Sequence, residues 1–219
     1  MDIARIIQEI ALITPGFLVA ITVHEYAHGY VALRLGDPTA KLEGRLTFNP
    51  ISHLDPVGTI VLLLTRTIGW AKPVPVDPRY LMNPRKDMMW ISLAGPAANV
   101  IAATALAIGL HLIGLILELR GFERYSLMGS AIGILLFGVK INVLLAIFNL
   151  IPVHPLDGSK ILTGLLPRHL AYEYEKLEPY GFLILILLLF VAPSVGFDIV
   201  RLAVLPPADL LFRLLLLGL

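Results

Sequence analysis

Residues 24–28 read His-Glu-Tyr-Ala-His and lie near the end of an apolar run that begins at about Ile6. A helix turns by about 100° per residue, so His24 and His28 lie on one face, one turn apart. This spacing lets two imidazoles bind one zinc ion, with Glu25 placed to take a proton from water. The alternative is a chance match, with both histidines hydrogen-bonded inside a helix bundle. Because titratable groups are costly in hydrocarbon, the apolar setting favours the zinc site.

The composition is that of a polytopic membrane protein. Hydrophobic residues make up 57% of the 219-residue chain and charged residues only 15%. We therefore expect an all-α fold, a single domain over residues 1–219, with about five or six transmembrane helices. The net charge of +1 gives no indication of a nucleic-acid partner. Since there is no cysteine, any metal must be bound by histidine or carboxylate side chains.

Long apolar stretches predict the membrane-spanning helices. Three of them are long enough to cross a bilayer, namely Ile6–Leu33, Lys86–Leu119 and Leu127–Leu150. Two further apolar segments follow, at Tyr180–Val191 and at Phe197–Leu217. The chain is thus expected to cross the cell membrane several times.

The connection between the first two spans carries two weaker signals. Residues Ala40–Phe48 alternate apolar and polar side chains about Gly44, which predicts a small membrane-associated β-hairpin. An irregular surface loop is the alternative. Pro56–Gly69 is apolar but too short for a comfortable crossing, so we predict a re-entrant segment packed against protein or a wet cavity.

Basic residues set the expected orientation. Eight Lys and Arg residues lie from Arg34 to Lys86, and three lie in the connection after the third span, at Lys160, Arg168 and Lys176. The opposite side carries three, at Arg5, Arg120 and Arg124. Because cytoplasmic loops are enriched in Lys and Arg, the N-terminus is predicted to lie outside the cell. His24 and Asp157 are then both expected near the cytoplasmic face.

A catalytic zinc bound by two imidazoles needs one more protein ligand and an open position for water. The sequence offers His53, His154 and Asp157, and physical chemistry alone does not choose among them. Asp157 could instead cap a helix that starts near Gly158. His53 could equally hydrogen-bond to a loop carbonyl.

Four segments together resemble the site-2 protease family of intramembrane zinc metallopeptidases, of the peptidase M50 type, in its compact form without PDZ or CBS domains. They stand in the family's order and cover residues 20–165. The matching residues are 24–28, Asn49–Gly58, Ala94–Asn99, and Phe148–Pro152 leading into Pro155–Gly158. Ser159 departs from the pattern, since many members carry a second glycine there.

The resemblance implies one zinc ion per chain, bound by His24, His28 and Asp157, with Glu25 as the general base. It implies further that Asn149 and His53 help to hold the scissile carbonyl or its oxyanion.

The implied reaction is regulated intramembrane proteolysis, in which a transmembrane substrate helix is cut near the cytoplasmic side of the bilayer. The alternative is a zinc transporter or metal-binding membrane protein, because intramembrane His and Asp also line ion paths. Glu25 favours the enzyme, because a protease needs a base beside the metal ligands and a transporter does not. Neither the substrate nor the oligomeric state follows from the sequence.

Overall fold

The computed structural model describes residues 3–65, 69–120 and 126–217, and the side chains of residues 10–61, 69–116 and 129–217. These parts of the chain are mostly helical. The α-helices are α1 (Ile3–Arg34), α2 (Thr39–Leu42), α3 (Pro56–Thr65), α4 (Pro84–Arg120), α5 (Ser126–Asn149), α6 (Asp157–Leu165), α7 (Arg168–Glu175), α8 (Gly181–Ile186) and α9 (Leu205–Leu215). Short 3-10 turns lie at Pro50–His53, Pro78–Tyr80, Glu178–Tyr180 and Ala192–Val195, and π-helical turns at Leu187–Val191 and Val200–Val204.

Within the described ranges, four helical stretches are long and apolar enough to cross a membrane. They are Ile10–Arg34, Pro84–Ile116, Gly129–Asn149 and Arg168–Val195. The first three correspond to the three predicted long spans, so a multi-pass helical fold is confirmed.

The predicted fifth and sixth crossings are not confirmed. The last predicted span is not one regular α-helix, since a π-helical turn, Val200–Val204, leads into α9, which has 11 residues and two prolines at its start. Eleven residues rise about 16 Å, little more than half of a hydrocarbon core of about 30 Å. Because Pro206 and Pro207 have no amide N–H, they cannot donate α-helical hydrogen bonds to the preceding turn, and the chain there forms the π-helical turn Val200–Val204 that leads into α9.

The hairpin predicted at Ala40–Phe48 is not confirmed, since all of these residues are described and none lies in a strand. Instead the chain forms the one-turn helix α2. Gly44 has a φ of +66° and ends this turn, and its N–H donates to Lys41 O at 3.1 Å. The N–H of Arg45 donates to Ala40 O at 2.8 Å, which completes a common helix-ending motif. The glycine that suggested a hairpin turn thus closes a helix.

Helix α3 occupies the predicted re-entrant segment. Its 10 residues rise about 15 Å, half of a membrane core. Leu54 and Ala71, on either side of it, form an antiparallel bridge, and Lys72 N–H donates to His53 O at 2.9 Å. The chain therefore leaves and returns at one place, which supports the re-entrant path. Residues 66–68 lie outside the described residues, and the path itself stays a prediction.

The chain packs as two compact units. One comprises residues 1–20, 99–148 and 186–219, and the other comprises Ile21–Ala98 and Asn149–Leu185. In the first unit, a core of small and branched side chains joins α4, α5 and α9; its buried members are Ala103, Ala107, Leu110, Val139, Val143 and Ala208. The single domain predicted over residues 1–219 stays a prediction.

Two fully buried asparagines connect the helices of the first unit. Asn99 Nδ2 donates to Ala20 O and to Asn142 Oδ1, both at 2.9 Å. Asn142 Nδ2 in turn donates to Gly138 O at 2.8 Å. Buried amides without partners would be costly, so these bonds fix the relative positions of α1, α4 and α5 within this unit.

We expect Gly16→Ala to lower the stability of this unit. A Cβ on Gly16 would lie 2.9 Å from the Cα of Gly138, so the α1 and α5 backbones would have to separate. Overpacking of this kind costs about 1–3 kcal/mol. Thermal unfolding in detergent measures the effect. Gly109→Ala is the matched control, because its Cβ would meet nothing within 4 Å. A Gly16→Ala protein as stable as Gly109→Ala would contradict the need for close approach.

Candidate metal centre

Helix α1 presents His24 and His28 as their spacing predicts. Their ring centroids are 4.6 Å apart and the ring planes meet at 88°. Only 8% and 12% of the two side chains are exposed. The two imidazoles therefore form one side of a small, largely buried polar site.

Asp157, the first residue of α6, completes the group. Its Oδ2 lies 3.0 Å from His24 Nε2 and 3.3 Å from His28 Nε2, and the three ligand atoms lie within 4.8 Å of one another. Two ligands of a tetrahedral zinc, at metal distances of about 2.0–2.1 Å, are separated by about 3.3 Å. Burial alone would raise the pKa of Asp157, but the nearby imidazoles outweigh burial and hold it below its usual range. The carboxylate is thus ionised at neutral pH.

The protonation of His28 also suits a metal ligand. Its Nδ1 lies 2.7 Å from Ile91 O, and since a carbonyl only accepts, Nδ1 must donate. Nε2 of the neutral ring then carries a lone pair directed toward Asp157. Asp157 Oδ2 is itself buried without a hydrogen-bond partner. Unless a proton or a metal ion lies between them, the lone pairs of Nε2 and Oδ2 repel each other. Two imidazoles and one carboxylate at these distances fit a divalent metal ion.

Helix α4 approaches the imidazoles at Gly95. A Cβ there would lie 2.5 Å from His28 Nε2 and 2.7 Å from His24 Cε1, so a side chain would displace the rings. Ile91, which accepts from His28, lies one turn earlier on the same face of α4. No role for Gly95 is predicted from the sequence alone, although small residues permit the close approach of helices.

A second glycine positions Asp157. A Cβ on Gly158 would lie 2.4 Å from the carbonyl oxygens of both Leu150 and Ile151. Glycine therefore lets the chain fold back against itself directly beside the carboxylate. The N-cap of α6 is Leu156, without a side-chain hydrogen bond, so the alternative of Asp157 as a cap is not supported.

Glu25 lies between the two histidines in sequence but outside the group of ligand atoms. It is half-buried, and its Oε2 accepts a hydrogen bond from Val74 N–H at 2.8 Å. Val74 comes from the extended segment between α3 and α4. One oxygen of the carboxylate is therefore fixed by the backbone.

The structure places His53 away from the ligand group, fully buried in the loop before α3. Its Nε2 donates to Thr47 O at 2.8 Å, as in the loop-carbonyl alternative. Its Nδ1 is buried without a hydrogen-bond partner. Asn149, the last residue of α5, is half-buried.

His154 is also buried and also lies outside the ligand group. Its ring packs against Tyr174, with centroids 5.2 Å apart, and Gly181 lies directly against its Cβ. Burial and the charge of Lys160 lower the pKa of His154. Of the three candidates for the third ligand, the structure brings Asp157 to the histidines.

Comparisons with known proteins also indicate a zinc metalloprotease. The family model described as peptidase family M50 matches residues 123–192. The Bacillus subtilis protein named "Putative zinc metalloprotease YwhC" is 41% identical over 177 residues, which cover 80% of this chain and 78% of the relative. "Putative zinc metalloprotease Rip2" of Mycolicibacterium smegmatis is 32% identical over 188 residues, covering 81% and 66%. The protein of that name from Mycobacterium tuberculosis strain H37Rv is 27% identical over 191 residues, covering 84% and 68%. No solved structure matches.

Asp157→Ala is expected to lose bound zinc, because two imidazoles without a third protein ligand form an incomplete site. His154→Ala, three residues away, should keep its zinc. Elemental analysis of the purified variants gives zinc per chain, and circular dichroism controls for folding. A zinc-replete Asp157→Ala protein beside a zinc-free His154→Ala protein would reverse the assignment.

Proposed function

The chain belongs to peptidase family M50 and is an intramembrane zinc metalloprotease, and we propose that His24, His28 and Asp157 bind its zinc and that Glu25 is the general base. The observation that carries the proposal is the convergence of His24, His28 and Asp157, whose ligand atoms lie within 4.8 Å of one another, with Asp157 Oδ2 at 3.0 Å and 3.3 Å from the two Nε2 atoms. Two histidines, one carboxylate and one water are an ordinary ligand set for catalytic zinc.

Bound zinc supplies Lewis-acid chemistry and lowers the pKa of water toward neutrality. Glu25 accepts a proton from the attacking water and returns it to the leaving amine. Its Oε2 is held by Val74 N–H, so we assign proton transfer to Oε1. His28 is kept in the metal-binding tautomer by its bond to Ile91 O.

The substrate is a peptide bond of a transmembrane helix. Such a helix hides its carbonyls in its own hydrogen bonds, so it must unwind before attack. We assign the stabilisation of the developing oxyanion to the side-chain amide of Asn149, which precedes the loop leading to Asp157. The Nε2 of His53 already donates to Thr47 O, so we give His53 no direct contact with the substrate.

We place the site on the cytoplasmic side of the cell membrane, with the N-terminus outside. The excess of Lys and Arg in the connections after α1 and α5 supports this orientation. The bridge between Leu54 and Ala71 supports a returning path through α3, so both ends of the connection share one side. The substrate helix and the lipid bilayer are then the partners of the site.

Glu25→Gln should abolish cleavage of a transmembrane test substrate, by at least about 10²- to 10⁴-fold, because the amide cannot accept the proton. Zinc content should stay at the wild-type level, since Glu25 lies outside the ligand group. Cleavage in detergent or proteoliposomes is the measurement. Glu43→Gln, at an exposed position, is the control and should remain active.

Robust proteolysis by a folded Glu25→Gln protein would contradict the proposed peptidase mechanism. Zinc transport into liposomes without any proteolysis would favour the transporter instead.

Single cysteines test the orientation, in a chain that has none of its own. We expect cysteines at Lys41, Arg79 and Arg168 to react with an impermeant reagent from the cytoplasmic side. A cysteine at Arg124, which lies outside the described residues, should react from the other side. Labelling of Lys41 and Arg79 from opposite sides would make Pro56–Gly69 a true crossing.

A further inference from the structure

The amide that holds Glu25 belongs to a stiff part of the chain. Val74, whose N–H donates to Glu25 Oε2 at 2.8 Å, is only 8% exposed and stands between Pro73 and Pro75. Each proline fixes its own φ, and Pro75 confines Val74 to extended backbone. The donor is thus presented to the carboxylate by a segment with little conformational freedom.

The same segment is fastened at Lys72, two residues before Val74. The N–H of Lys72 donates to His53 O at 2.9 Å, and the adjacent Ala71 forms the bridge with Leu54. The carbonyl of Lys72 accepts from the guanidinium NH2 of Arg45 at 2.8 Å. Both backbone polar groups of Lys72 are therefore bonded, the N–H to His53 and the carbonyl to Arg45.

The two residues that fasten Lys72 are themselves deeply buried. Arg45 is 8% exposed and His53 is fully buried. The ion pairs among the described residues do not include Arg45. A buried guanidinium is costly unless it is well bonded, which makes its contact with the Lys72 carbonyl important to this loop. The bond from His53 Nε2 to Thr47 O fixes the turn that carries the His53 carbonyl.

We infer that Ala71–Val74 is a brace for the general base, in which Arg45 and His53 are positioning residues that act through Lys72 and the Val74 amide. The inference rests on the proposed role of Glu25. The brace fixes one carboxylate oxygen and so directs the other toward the attacking water. His53 then serves catalysis through the backbone and not by touching the substrate. Loss of the brace should lower kcat and leave KM unchanged, because it affects the transition state and not substrate binding.

Val74→Pro tests the brace by removing a single group, the backbone N–H of residue 74. It removes the N–H, while Pro75 already imposes the extended backbone that proline prefers. Val74→Ala is the matched reference, because it loses the same side-chain contacts but keeps the N–H. We expect kcat of Val74→Pro to be about 10- to 100-fold below that of Val74→Ala, with equal KM and equal zinc content. Equal kcat values, or a difference confined to KM or zinc content, would overturn the inference.

Arg45 provides a second test that does not depend on proline at position 74. Arg45→Met removes the donor to Lys72 O, whereas Arg45→Lys retains a cationic donor. The brace predicts a lower kcat for Arg45→Met, at unchanged KM and zinc, with partial rescue in Arg45→Lys. If Val74→Pro fails to fold, an Arg45→Met protein with wild-type kcat overturns the brace. Proteolysis by Glu25→Gln would instead contradict the proposed function. Failure of the brace and failure of the proposed function therefore give different results.

Discussion

The site depends on the close approach of one carboxylate oxygen to two imidazole nitrogens, which is favourable only when a cation lies between them. Asp157 brings a buried oxygen without a hydrogen-bond partner to within 3.0–3.3 Å of two imidazole nitrogens. His28 donates through its other nitrogen, so in the neutral ring the contact with Asp157 sets lone pair against lone pair. A metal ion bound there would convert this arrangement into a stabilising one and would link α1 to α6.

Two glycines make this arrangement possible, because without a side chain their backbone can approach neighbouring groups closely. At Gly95 the main chain of α4 reaches the imidazoles, and at Gly158 the start of α6 reaches the carbonyls of Leu150 and Ile151. At both positions a methyl group would overlap its neighbours. The ligands are therefore positioned by close backbone contacts, and the precision of the site follows from shape as well as from the ligand atoms themselves.

Much of the fold and part of the site could be predicted from local patterns. Helical spacing places His24 and His28 together, and long apolar runs locate α1, α4 and α5. The proposed third ligand could not be chosen this way, because it comes from a distant part of the chain; the resemblance selected Asp157. The alternation around Gly44 suggested a hairpin, yet a glycine with positive φ also ends a helix, and local sequence does not separate the two.

The contact of Glu25 with Val74 was beyond sequence analysis for a different reason. A backbone amide carries no side-chain signature, and only the path of the folded chain reveals which amide reaches the carboxylate. His53 shows the complementary limit. The family resemblance implied a role for His53 at the scissile carbonyl, and in the structure its ring donates to Thr47 O while its carbonyl accepts from Lys72 N–H.

The position of Gly95 also restricts access to the proposed metal site. With no side chain in between, the main chain of α4 closes the sides of both rings that face it. Water and peptide must then approach from the directions that α4 leaves uncovered. On the side of the two rings that α4 covers, the proposed zinc site therefore has no room for a further ligand.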